Sequence, residues 1–444
     1  MTAAWTPEQI LALAPDASSA KSGKELSNAR KWVALHHDAG AGSDGAVWGE
    51  CQGSGKDPYR TQIDLAEPAF KCSCPSRKFP CKHGLGLLLL FAGQSQAFSA
   101  APLPAWVSEW LESRAARVQK QSEKAEKQVE TATADPKAQE KRLAAREKKV
   151  AAGVSELQLW LRDMMRRGLA TAESDWDKMA ARLVDAQASG LARMVREASA
   201  ISLSGDGWQE RLLERLARLH LLIEAWKRLE TLAPEMQAEV RSQIGWTQNQ
   251  DELLAQDGVR DIWLVLGRRI EEDERLRTAR TWLWGQNSRR TALVLDFAPS
   301  GRPLELSLAP GMALEGEMVF FAGTNSQRAI VKSRAAAPAF EALPGYEAIG
   351  EALADCAAQR ARNPWQSRCV LSLQRTTVVP DAKTWLLRDA QNHALPLAPR
   401  FASSDASWKL LALTGGHATG LVGEWDGDHL FPLAAWTERG LVQF

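Results

Sequence analysis

The sequence predicts an α+β chain of several domains: a small ββα unit near the N-terminus, a central helical bundle, and a C-terminal antiparallel β-barrel or sandwich region with one inserted helix. Three observations carry that prediction. Cysteines crowd between two extended stretches and the leucine-rich run from Gly84 to Ala92. Apolar residues recur every seven positions from Leu143 to Met164, a helical stripe. Near Asp261 the pattern changes to short alternating runs separated by Gly, Pro and Asn, as in a strand meander.

Composition bounds the rest. With 444 residues, 45% of them hydrophobic and 25% charged, the chain has the apolar content for about three buried cores and is too apolar to be disordered throughout. Lys+Arg 55 against Asp+Glu 54 gives a net charge of +1, so any electrostatic partner must be met by a local patch. Six cysteines are too few for a disulfide scaffold at this length. The N-terminus lacks a basic start followed by an apolar core, and Gly84 to Ala92 is far short of the ~20 residues that span a bilayer. The expectation is a cytoplasmic protein with no membrane partner and reduced thiols, in which clustered cysteines serve as metal ligands.

Along the chain, residues 1–35 read as helical, interrupted at Pro15, and Gly40 to Gly45 as a loop. Val47 to Leu65 reads as a hairpin around a Gly/Pro-rich turn. This first unit, 1–105, ends in a Pro-punctuated stretch, and 106–136 reads as a polar linker or loosely held helix. Asp135-Pro136 is a helix start, with Asp as cap and Pro in the first turn. It opens a helical domain over 137–258, with further helices near 173–187, 191–200, 208–231 and 235–244. The stripe of Leu143, Val150, Val154, Leu157, Leu161 and Met164 fits bundle packing better than a coiled coil. The β-rich domain spans 259–444, with strands around 262–266, 281–284, 291–297, 304–308 and 318–321. A helix follows near 346–361, strands resume at Cys369, and Trp425 to Asp428 forms a hairpin turn.

The chemistry lies between Cys72 and His83, where C-x-C-x₆-C-x-H places four of the chain's thirteen Cys and His in twelve residues. Zinc takes four N/S ligands in a tetrahedron, and Cys3His is a structural set. Residues i and i+2 of an extended chain share a side, so Cys72 and Cys74 can bind one ion together. Cys81 and His83 cannot share a face of a regular helix, which predicts Cys81 at the helix cap and His83 inside, where the helix N-terminus favours a thiolate. A closed four-ligand shell of this kind holds a fold together and does not catalyse.

This segment resembles the SWIM-type zinc finger, whose motif is C-x-C, a variable spacer, then C-x-H. Cys72, Cys74, Cys81 and His83 take the ligand positions. The lead-in strands and the following apolar helix resemble that family's strand–strand–helix module over roughly residues 45–92, about a tenth of the chain. The resemblance implies one structural Zn²⁺ and either DNA or a protein as the finger's target. It is to the stand-alone bacterial kind, for which it implies AAA-type ATPase and von Willebrand A-domain partners. The chain itself carries no ATPase motif.

Lys71, Arg77, Lys78 and Lys82 are the candidate nucleic-acid contacts, and no Asp or Glu occurs between Glu67 and Glu109. Three thiolates around Zn²⁺ carry a net negative charge that these cations also neutralise. Four phosphate contacts would give a salt slope of about −3.6. Residues 137–149 add six basic residues against two acidic ones, a pattern that a solvated helix face equally explains.

Other signals carry less. Gly40 to Gly45 matches G-x-G-x-x-G without the strand before and helix after that a dinucleotide site needs. Gly55-Lys56 fails as a P-loop, with Glu50 in place of the first glycine and Asp57 in place of Ser/Thr. His36-His37 reads as a surface or interhelix pair, Cys51 as a half-buried strand residue, and Cys356 and Cys369 as core. Asp426, Asp428 and His429 read as turn residues. Most of the 18 tryptophans, Trp226, Trp263, Trp282 and Trp408 among them, sit in core-like patterns, although a β-barrel could expose Trp to stack bases. No catalytic constellation is recognisable, so the chain reads as a non-enzymatic adaptor, with DNA binding as the alternative.

Overall fold

The computed structural model describes residues 5–444 except 12, 39–44, 54–56, 66–68, 77, 115, 117–135, 170–174, 202–203, 273–275, 301–303, 305–306, 339, 382–383 and 439. The loop 40–45 and most of the 106–136 linker therefore lie largely outside the described residues.

In the N-terminal unit, α1 (Pro7–Leu11) and α2 (Ala17–Leu26) precede four strands, β1 (Trp32–Asp38), β2 (Ala46–Cys51), β3 (Tyr59–Asp64) and β4 (Ala69–Cys72). Helix α3 (Lys82–Gly93), strand β5 (Ser99–Ala101) and helix α4 (105–114) complete it. The sheet order is β4-β3-β2-β1-β5, with only β5 parallel to its neighbour. Strand alternation divides the two faces. Val47, Ile63 and Phe70 pack with Leu85, Leu87, Leu88 and Leu90 of α3 and with Ile10 and Leu13. Ala46 and Trp48 point the other way, onto Val107 of α4. Both faces of the finger's sheet are thus covered. Helices α2 and α3 meet closely because Gly86 brings its backbone against Leu26; a Cβ there would lie 2.7 Å from that of Leu26.

The helical reading of 1–35 is corrected here. Two short helices, broken around Pro15, end at Leu26, and the chain is extended from Trp32 because β1 pairs with β2 over Trp32 to His37. His36 and His37 are therefore strand residues; the His36 ring lies 5.9 Å from that of Trp48.

The bundle comprises α5 (Pro136–Arg167), α6 (Trp176–Asp185), α7 (Ser189–Ser199), α8 (Trp208–Lys227) and α9 (Pro234–Ile244). Val150, Val154, Leu157, Leu161 and Met164 of α5 are buried with Leu212, Leu216, Leu219, Leu222 and Ile223 of α8, joined by the apolar faces of α6 and α7. The stripe thus packs inside a bundle. Its first member does not take part, since Leu143 is 47% exposed. Short helix α10 (Gln250–Leu254) leads into the β-region.

Two sheets make up that region. The first has the order β10-β9-β6-β7-β8, built from β6 (Val259–Glu272), β7 (Leu276–Gly285), β8 (Thr291–Pro299), β9 (Ala313–Phe320) and β10 (Ala329–Ala336). The second has the order β13-β12-β11-β14-β15-β16, from β11 (Cys369–Val379), β12 (Leu386–Asp389), β13 (Ala394–Pro396), β14 (Thr419–Trp425), β15 (Leu430–Thr437) and β16 (Gly440–Gln443). Leu264, Leu266 and Trp282 of the first meet Val370, Val422 and Leu433 of the second, so the arrangement is a sandwich and not a closed barrel.

Other expectations for this region change. Among the described residues three helices interrupt the strands instead of one: α11 (Ile349–Arg362), α12 (Pro399–Ala402) and α13 (Asp405–Thr414). The last is bounded by Ser404 as cap and Gly415 in the left-handed region. The described residues of 304–308 form no strand; Leu304 and Leu308 are buried as apolar plugs. Trp263 and Trp282 are core, but Trp408 is 63% exposed on α13, edge-on to Trp385. Cys356 and Cys369 are joined in a disulfide, correcting the expectation that every thiol is reduced; α11 packs on β11 and brings their Cα atoms to 6.0 Å. Asp426 Oδ1 accepts from the backbone N–H groups of Asp428 and His429, as a turn residue should. No helix among the described residues is long and apolar enough to cross a membrane.

Candidate metal centre

Each ligand position is set by a different local rule. Cys72 ends β4, where antiparallel pairing places it opposite Thr61 of β3. Cys74 follows two residues on, as the chain leaves the sheet. The loop then returns through Pro75 and Pro80 to Cys81, which is the N-cap of α3 in extended conformation (φ −74°, ψ 166°), with its carbonyl accepting the Leu85 N–H. His83 lies inside the first turn and is buried. The split between cap and helix follows from the C-x-H spacing.

The four donor atoms lie within 4.8 Å of one another. His83 Nδ1 is 3.7 Å from Cys72 Sγ and 4.0 Å from Cys81 Sγ. A tetrahedron with Zn–S of about 2.3 Å and Zn–N of about 2.0–2.1 Å has edges of about 3.5–3.8 Å, so the cluster is already near the size of a zinc shell.

Acid–base chemistry points the same way. The hydrogen bond from Cys81 outweighs burial and holds Cys72 well below the usual thiol range, helped by His83 and Thr61. That hydrogen bond, with burial, pushes Cys81 up. Burial and the neighbouring Cys72 raise Cys74. Protein alone therefore supports one thiolate and resists a second and a third. A divalent cation removes that conflict by supplying the charge that three thiolates share. Cys72, Cys74, Cys81 and His83 are positioned to hold one zinc ion.

Two neighbours went unrecognised in the sequence. Buried Thr61 places Oγ1 3.2 Å from Cys72 Sγ, and the Tyr59 ring lies 5.1 Å from that of His83. Both come from β3, brought opposite the site by strand register, which spacing along the chain does not reveal. Cys51 is not part of the cluster; fully buried at the end of β2, it directs Sγ to the Lys31 carbonyl.

Lys71 and Lys82 are exposed beside the metal centre, Arg77 lies outside the described residues, and Lys78 Nζ is 2.8 Å from Asp16 Oδ2. Lys78 is therefore paired with the carboxylate that caps α2, although its own stretch of sequence is free of acids.

The structure thus combines a Cys3His metal-binding finger at the edge of a five-stranded sheet with a helical bundle that follows it. Residues 59–91 match the SWIM zinc finger, and residues 145–244 match the SWIM-associated four-helix bundle domain, which here runs from within α5 to the end of α9. The chain thus carries a SWIM zinc finger and the bundle domain associated with such fingers. No curated protein and no solved structure matches it.

Proposed function

We propose that this chain is a non-enzymatic interaction protein in which zinc fixes the finger as a docking element, and that its partner is an AAA-type ATPase or a von Willebrand A-domain protein. The observation that carries the reading is the donor set. Cys3His fills all four positions of a tetrahedral ion and leaves none for a substrate or an activated water. The partner classes follow from the resemblance of the finger alone; the adjoining bundle is of the type associated with such fingers.

The experiment is capture of the tagged full-length chain from its native cell, read by mass spectrometry alongside zinc content. The expected result is about one zinc per chain with an AAA-type ATPase in the eluate, and loss of both in Cys74→Ala. An eluate with zinc present but neither partner class enriched over a control overturns the reading.

Exposed Lys71 and Lys82 favour a second reading, nucleic-acid binding by the finger. Titration of labelled single- and double-stranded DNA at about 50 and 200 mM salt separates the two. Salt-dependent binding that Lys71→Glu with Lys82→Glu abolishes supports the second reading; no binding removes it.

A further inference from the structure

We propose that a cleft between the β-sandwich and α11 binds a small phosphate-bearing ligand of mononucleotide size. The cleft has a volume of about 680 Å³, within the range of small-molecule sites. Its walls come from the β7–β8 turn, the β9–β10 connection and α11, with residues 344–346 along one side. A second hollow of about 380 Å³ adjoins it, sharing Arg290, Asn325 and Ser326 and adding Phe320, Phe321 and, from α9, the exposed Glu235.

Charge identifies the ligand class. Arg289, Arg290 and Arg362 line the cleft against one carboxylate, Asp355. That carboxylate is occupied, because its Oδ2 accepts from Tyr346 Oη and Gln359 Nε2, both at 2.7 Å. Among the described residues no acid pairs with any of the three arginines. Elsewhere in the same domain Arg269, Arg280 and Arg368 all share Glu271 and Glu424. The cleft therefore gathers three arginines against one occupied carboxylate. Arg290 lies 3.7 Å above the Phe320 ring, which holds its guanidinium at the junction of the two hollows; like Arg289 and Arg362 it is exposed, and no carboxylate offsets its partial desolvation. A guanidinium fork held in this way matches the paired oxygens of a phosphoryl group. The hydroxyl and amide groups of Ser326 and Asn325 supply further donors, and the phenylalanine-lined hollow can receive an apolar or planar remainder. This site is independent of the finger and of its partner.

Calorimetric titration of the zinc-loaded chain at low ionic strength tests the assignment, with inorganic phosphate, ribose 5-phosphate and adenosine 5′-monophosphate as probes and adenosine as the uncharged control. Saturable binding of the phosphate-bearing probes, and none of adenosine, is expected. Arg290→Ala and Arg362→Ala should each weaken it by about tenfold or more, the worth of a charged hydrogen bond. Asp355→Asn should bind at least as tightly as the parent, an effect that general damage to the fold does not produce. Thermal melts and zinc content establish that each variant is folded. Failure of all three phosphate probes to saturate at millimolar concentration overturns the proposal, as does binding unchanged in both arginine variants.

Discussion

At the metal centre, four residues were legible because their chemistry is local. Cys72, Cys74, Cys81 and His83 sit at fixed spacings whose meaning depends only on strand and helix geometry. Thr61 was not legible, since it reaches Cys72 through the pairing of β3 with β4. The partner of Lys78 was hidden for the same reason, since Asp16 belongs to another element. Thr61 yields a prediction at this scale. Its hydroxyl donates to the sulfur that bears negative charge most readily, and ligand-supporting hydrogen bonds of this kind are worth about 10–100-fold in metal affinity. Thr61→Val should lower zinc affinity by about tenfold, measured by competition with a chromophoric chelator, and Thr61→Ser should restore it. Equal affinity in the parent and Thr61→Val would show that the hydroxyl only fills space.

Legibility at the scale of elements followed the strength of the hydrophobic period. Helices α6 to α9 fall close to their expected ranges because each buries a stripe spaced at helical intervals. Strand β1 failed because residues 32–38 are short and ambiguous, and become extended by pairing with β2. Helices α12 and α13 were missed despite signals that lie in the sequence, Pro399 in a first turn, Ser404 at a cap and Gly415 past the end. Helix crossings are invisible to periodicity. Gly190 near the start of α7 approaches the end of α9 so closely that a Cβ would stand 2.0 Å from the Gln243 carbonyl oxygen. A backbone atom cannot swing aside as a side chain can. Gly190→Ala should therefore destabilise the bundle by about 3 kcal/mol, the upper end of the usual overpacking cost. Chemical denaturation would read that change as a lower midpoint, with zinc content unaltered because the finger is a separate unit. A midpoint equal to the parent's would mean that α7 and α9 can separate without loss.

Across the whole molecule, the units are joined by contacts with no sequence signature. Trp365, between the sandwich helix α11 and strand β11, enters the bundle core and donates its indole N–H to the Arg218 carbonyl of α8. Gln9 of the N-terminal unit donates to the Gly311 carbonyl of the β-region. Within the sandwich the joint is Glu424, whose side chain is 1% exposed on β14. It accepts from Arg280, Arg269, Arg368 and Trp282 at 2.8–3.1 Å, joining the two sheets through their charges. Burial alone would raise its pKa; the Arg280 hydrogen bond and charge, with Arg368 and Trp282, outweigh burial and lower it from 4.5 to about 2. A carboxylate whose folded pKa is depressed binds its proton more readily in the unfolded chain. Its contribution is complete above about pH 4.5 and is lost as pH falls through the range down to about 2, amounting to about 3 kcal/mol. Glu424→Gln should lower stability by about 3–5 kcal/mol at neutral pH, because it leaves buried arginines with Glu271 alone. It should also flatten the fall in denaturation midpoint between about pH 5 and pH 3. Arg368→Gln removes only one, half-exposed partner and should give a smaller change of the same sign. Proton competition for the zinc ligands acts on the finger in all three proteins alike, so the difference between parent and variant slopes isolates the sandwich. Parallel slopes for the parent and Glu424→Gln would mean that Glu424 does not couple the sheets to pH.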